Sequence, residues 1–130
     1  MGATLNSCLY EITLLALEDK KKIKEIMRSQ GINSVAIYGL GRLGLALNVL
    51  LKKSDVNIVY GLDIDRKKHV DGLRVLHPND DAQEHVDIII ITPLKGSNEI
   101  IDNLKSNNAA NIIKVSDFLE ELIIATTQLD

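Results

Sequence analysis

The sequence predicts an α/β fold in which one parallel sheet is covered by helices, and three observations carry that expectation. Aliphatic residues gather in short blocks while aromatics make up only 3% of the chain, as in strands that are buried on both faces and read as continuous apolar runs. Those blocks alternate with stretches of helical periodicity from residue 34 onward. A glycine-rich turn joins the first block to the first of those helical stretches, the junction at which open α/β sheets hold phosphates.

In chain order, the strands are expected at residues 34–39 (SVAIYG), 56–63 (VNIVYGLD), 73–76, 86–92 (VDIIIIT) and 111–115. Helices are expected at 42–53, 80–85, 97–106 and 116–128. Only nine residues, 64–72, separate the second and third strands, too few for the helical crossover that parallel strands normally require. A loop therefore replaces that helix. The expected architecture is a single sheet of order 3-2-1-4-5, with residues 31–130 forming this domain and residues 1–30 a helical extension. In the extension Leu9, Ile12, Ala16, Ile23 and Met27 recur at helical spacings opposite Lys20, Lys21, Lys22 and Lys24, an amphipathic pattern that the charged stretch 18–22 divides in two. Gly31 stands where such a helix would end.

Composition narrows the function classes. The 130 residues leave room for one domain, and a formal charge of -3 lacks the basic footprint of nucleic-acid or membrane binding. Cys8 is the single cysteine, no apolar run approaches a membrane span, and the N-terminus has no signal-peptide layout. A cytoplasmic protein is expected. The apolar stripe of residues 1–30 leads to a further expectation, a homodimer through that segment, against the alternative that the stripe packs on its own sheet.

The candidate site is the turn Gly39-Leu40-Gly41-Arg42-Leu43-Gly44, a G-x-G-x-x-G sequence between an aliphatic strand and an apolar helix. Gly39 would permit the tight turn, Gly41 would let a pyrophosphate approach the main chain, and Gly44 would let the helix pack closely on the sheet. The unpaired N–H groups of the helix start favour an anionic phosphate. Asp63 ends the second strand, 24 residues after Gly39, where an acid accepts hydrogen bonds from ribose hydroxyls. Its charge favours NAD over NADP, while the nearby Arg66 keeps NADP open; Asp65 follows two residues on. Thr92 and Pro93 close the fourth strand at the carboxyl edge and are expected to line the pocket. In the competing reading the glycines serve packing alone, Asp63 and Asp65 are solvated carboxylates, and Pro93 merely ends a strand.

Catalytic groups are not expected. Cys8 has no sequence pattern tying it to a histidine, His69, His77 and His85 match no metal spacing, and they read as surface residues. The pairs His69/Asp71 and His85/Asp87 flank strand edges, and Asp80-Asp81 reads as a helix cap.

The stretches AIYGLGRLGLAL, VYGLDID, GLRVL and VDIIIITP resemble the nucleotide-binding core of the NADH-sensing redox repressors and, more distantly, the CoA-binding domains of succinyl-CoA ligases. Both families also shorten the second crossover. A closer resemblance is to a Rossmann-like module of low-GC bacteria, appended to glycosyltransferases and other enzymes of surface-polysaccharide clusters, which begins with an amphipathic helical segment. The resemblance implies a Rossmann-like fold and a nucleotide ligand: NAD(H) first, with NADP, CoA or a nucleotide sugar as alternatives. It implies an accessory or sensor role rather than an activity; a repressor role is not carried over, because residues 1–30 are too short for a winged-helix domain. The remaining readings are an interaction module with a vestigial pocket and a dehydrogenase-type fragment completed by another chain.

Overall fold

The computed structural model describes residues 3–80, 84–106 and 110–128. Within them the elements run α1 (Leu5–Ala16), α2 (Lys20–Ser29), β1 (Val35–Tyr38), α3 (Arg42–Lys53), β2 (Ile58–Leu62), β3 (Val75–Leu76), β4 (Ile88–Ile91), α4 (Ser97–Lys105), β5 (Asn111–Lys114) and α5 (Val115–Gln128). The five strands form one sheet of order β3-β2-β1-β4-β5, and every pairing is parallel. The Rossmann-like architecture expected from the sequence is therefore present. Strands are shorter than the aliphatic runs because the outer residues of each run leave the ladder for turns and caps; residues 34 and 39, for example, flank β1 without belonging to it.

The sheet separates two cores. Val35, Ile37, Ile88 and Ile90 point to one face, beneath α1, α2, α3 and α5, while Ala36, Tyr38, Ile89 and Ile91 point to the other, beneath α4. This is the alternation that the period of two demands, and burial on both sides explains why the strands carry no polar face. The unequal cover has a cause in the chain. Between β2 and β3 the segment forms turns and an isolated bridge, Val70 with Leu73, so the second face lacks the helix that a longer crossover would lay there. The helix expected at 80–85 falls partly on residues 81–83, outside those described; Asp80, Glu84 and His85 around them are not helical. Asp80 instead accepts a hydrogen bond from the His77 N–H at 2.9 Å, which tightens a turn rather than starting a helix, and this contact holds its carboxyl below the usual carboxylate range.

The extension joins the first core. Cys8, Ile12, Leu15, Ile23, Ile26 and Met27 are buried, and α1 packs against both α3 and α5. The expected apolar stripe is thus covered within the chain, except that Ala16 is exposed. The break between its helices is made by Asp19, whose carboxylate accepts the Lys21 N–H at 2.9 Å as the cap of α2.

Candidate functional site

The turn between β1 and α3 is fixed by contacts from three strands. Gly39 donates its N–H to the Leu62 carbonyl at 2.7 Å, and Thr92 donates its N–H to the Tyr38 carbonyl at 2.9 Å. The Thr92 hydroxyl lies 2.9 Å from the Tyr38 carbonyl and 2.7 Å from that of Gly39, so it donates between the two and straps β4 to the turn. Asp63 completes the arrangement. One carboxylate oxygen accepts the Leu40 N–H at 3.0 Å and the other the Asp65 N–H at 2.9 Å, joining the end of β2 to the glycine-rich loop.

The three glycines differ in what a side chain would meet. Gly39 has φ +89°, the left-handed region that favours glycine, and an added Cβ would stand 2.5 Å from the Thr92 hydroxyl. At Gly44 a Cβ would overlap the carbonyl group of Gly39, so α3 sits too close to β1 for any side chain. Gly41 is unlike both. It has φ -75°, which any residue adopts, and a Cβ there would enter open space with nothing within 4 Å. It caps α3 without a side-chain hydrogen bond, and the first turn of α3 holds no acidic residue. The main-chain N–H groups of that turn are the ones a helix leaves without intrahelical partners.

These residues border a cleft of about 690 Å³ at the carboxyl edge of the sheet, lined by Gly39, Leu40, Gly41, Arg42, Leu43, Gly44, Asp63, Thr92 and Pro93 together with Leu5, Tyr38, Ile64, Leu94, Lys95 and Ile100. That volume falls in the range of small-molecule sites. The structure therefore brings together all the expected residues except Asp65, which is exposed and turned into its own loop, where its carboxylate accepts the Lys67 N–H at 3.0 Å. Arg66, the cation near Asp63 in sequence, reaches Asp80 at 3.5 Å. A second compartment of about 350 Å³ opens on the thinly covered face between His77-Pro78-Asn79 and α4, and shares Tyr38, Ile64 and Ile100 with the cleft.

Several of these residues were not legible as site residues. Tyr38 lies 8% exposed at the junction of the two compartments; burial, and then the Asp63 charge, push its hydroxyl above the ordinary tyrosine value. Its place immediately before Gly39 was an available hint. Leu5 comes from α1 and reaches the cleft only through tertiary packing, which no local pattern announces. His77 is half-buried and lines the second compartment rather than standing on the surface; its Nδ1 accepts the Asn79 N–H at 3.1 Å. His69 and Asp71 do meet, at 3.0 Å, but both are exposed in the β2–β3 loop, away from the cleft. Cys8 is fully buried, and burial followed by the Glu11 charge raises its thiol above the usual cysteine value. No helix among the described residues is long and apolar enough to cross a membrane. Comparison with protein-family models, with curated proteins and with solved structures finds no match for this chain.

Proposed function

We propose that this chain is a nucleotide-binding accessory or sensor module without turnover of its own, with NAD(H) as its first ligand. The observation that carries the reading is Gly41. Neither backbone conformation nor packing requires glycine there, whereas both constrain Gly39 and packing forbids a side chain at Gly44. A residue kept small at the mouth of a cleft, beside unpaired helix N–H groups, gives a pyrophosphate room to reach the main chain. Arg42 and Lys95 on the same cleft supply cationic charge for it. Asp63 keeps acceptor capacity on both oxygens after its two main-chain bonds, which suits ribose hydroxyls and repels a 2′-phosphate, and the pairing of Arg66 with Asp80 favours NAD(H) over NADP. The polar side chains beside the turn are engaged by main chain: Asp63 accepts Leu40 and Asp65 N–H groups, and the Thr92 hydroxyl donates to a main-chain carbonyl. The likeness to modules that accompany polysaccharide-cluster glycosyltransferases fits such an accessory role in a bacterium.

The test is titration calorimetry of the chain and two variants against NAD, NADH, NADP, CoA and UDP-sugars. NAD or NADH is expected to bind most tightly. Gly41→Val should abolish binding of every phosphate-bearing ligand with the fold intact, and Asp63→Ala should weaken adenosine-type ligands by about ten to a hundredfold through lost charge-assisted hydrogen bonds. A nucleotide whose affinity survives both substitutions would remove the turn and Asp63 from the site and leave the interaction module as the better reading.

A further inference from the structure

On the more heavily covered face, α1 lies between α3 and α5 and packs against each. The three run in the same direction. α3 and α5 follow parallel strands and return from the carboxyl edge of the sheet, and α1 begins at that edge, where Leu5 lines the cleft. The inward side of α1 fills the core, yet its outward side carries an apolar patch of its own. Tyr10 and Leu17 are 65% and 81% exposed, with Leu14 between them at helical spacing, and Glu11 is the only charged residue of the helix. The exposed polar residues Asn6, Ser7 and Thr13 border these three apolar residues, and an exposed apolar patch with a polar rim marks a contact surface.

The flanking helices extend this surface. Leu45 and Val49 on α3 and Ile124 on α5 are also exposed, and each continues into charge along its own stripe. α3 carries Arg42, Lys52 and Lys53 with no acidic residue, whereas α5 carries Asp117, Glu120 and Glu121 with no basic one. The layer is therefore basic on the α3 flank and acidic on the α5 flank, and the one charge of its centre, the half-buried Glu11, stands on the acidic side within reach of the Glu120 charge. Such a face complements itself. Under a two-fold axis parallel to α1, the α5 of each copy lies over the α3 of the other; an axis perpendicular to α1 would set like charges together. We infer that the outward face of α1, with Tyr10, Leu14 and Leu17 at its centre, is the contact for a second copy of this chain, α1 against α1 and the acidic α5 over the partner's basic α3. This places the homodimer on the outer side of α1, since the stripe read from the sequence is consumed by the chain's own core.

Sedimentation equilibrium of the chain and four variants tests the inference. The wild-type chain is expected to be a dimer, and Leu14→Glu with Leu17→Glu to be monomeric with unchanged circular dichroism. Lys52→Glu with Lys53→Glu, and separately Glu120→Lys with Glu121→Lys, should each raise the dimer dissociation constant about tenfold, and the chain carrying all four reversals should recover most of that loss. The charge variants sit on exposed positions, where Lys52 loses one internal hydrogen bond, to the Gly72 carbonyl at 3.2 Å, and the four-reversal chain, which shares that loss, decides the matter even if the leucine variant does not fold. A wild-type chain that stays monomeric at high concentration, a dimer indifferent to both charge reversals, or a four-reversal chain no tighter than either pair would each overturn the proposal.

Discussion

Gly44 and Gly41 stand three residues apart, and the structure assigns them opposite tolerance. A Cβ at Gly44 would occupy the place of the Gly39 carbonyl, so Gly44→Ala must push α3 off β1 and is expected to cost about 3 kcal/mol. A Cβ at Gly41 meets nothing, and Gly41→Ala should change stability by less than about 1 kcal/mol, the gain from a less disordered unfolded state being offset by the poorer N-cap that alanine makes for α3. Urea unfolding of both variants checks the contrast, and equal stabilities would show that the close approach of α3 is not maintained. Asp87 works at the opposite edge of the sheet. Its carboxylate accepts the Asn33 and Ser34 N–H groups at 2.7 and 3.1 Å, and these bonds hold its carboxyl below the usual carboxylate range against a smaller opposing effect of burial. A depressed folded value contributes stability above the unfolded value of about 3.9 that is lost as pH falls through the folded value. Asp87→Ala should therefore melt earlier than the wild-type chain at neutral pH, and the gap in melting temperature should narrow as the solution is acidified below pH about 4. A gap that widens in acid would contradict the sign.

At the scale of elements, α1 matters more than its place in the chain suggests. It inserts Cys8, Ile12 and Leu15 between α3 and α5, so α1 and α2 share one core with the sheet. Ile12→Ala is expected to cost about 2 to 5 kcal/mol, the range for a large-to-small change in a packed core, and guanidinium unfolding would measure it; a loss within experimental error would mean that α1 is only loosely attached. The helix–sheet periodicity that marked α3 and α5 was legible because each helix buries a single stripe, Leu43, Leu47, Leu50 and Leu51 on α3 and Phe118, Leu119 and Leu122 on α5, and carries its charges on the other side, where Leu45, Val49 and Ile124 are the exposed apolar exceptions. For α1 that pattern failed. Its apolar residues occur at Leu9, Ile12 and Leu15 but also at Tyr10, Leu14 and Leu17, and periodicity does not say which of two apolar stripes meets the core. Of the helix expected at 80–85, residues 81–83 lie outside those described; the cap expected at Asp80 is not made, because its carboxylate is drawn into the turn at His77 by a nearer main-chain N–H.

For the whole molecule, the proposed binding would be linked to folding. A nucleotide that binds only the native state should stabilise it by about 2.7 kcal/mol at a concentration one hundred times its dissociation constant. Cys8 offers a direct reporter, because it is the only thiol and fully buried, with its pKa raised by burial. Its reaction with a thiol reagent requires opening of the α1 layer. Labelling should be slow in the native chain, fast in denaturant, and slower still with saturating NADH when opening is global. Rapid native labelling would show that α1 detaches without unfolding of the sheet.

Sequence alone determined the sheet, its order, the loop in place of the second crossover helix, and nine of the ten residues assigned to the cleft. These features rest on local information: runs of aliphatic residues, the chain length between strands, and a glycine-rich turn whose dihedral angles and packing are set within a few residues. Tertiary structure decided the remainder. It turned Asp65 into its loop, brought Leu5 and Lys95 to the cleft, drew Arg66 to Asp80 and separated the glycines that the fold needs from Gly41, which it does not. It also chose the buried side of α1. Each of these outcomes depends on which surfaces lie within a few ångströms after folding, and that distance is a property of packing between elements far apart in the chain, which no periodicity within an element encodes.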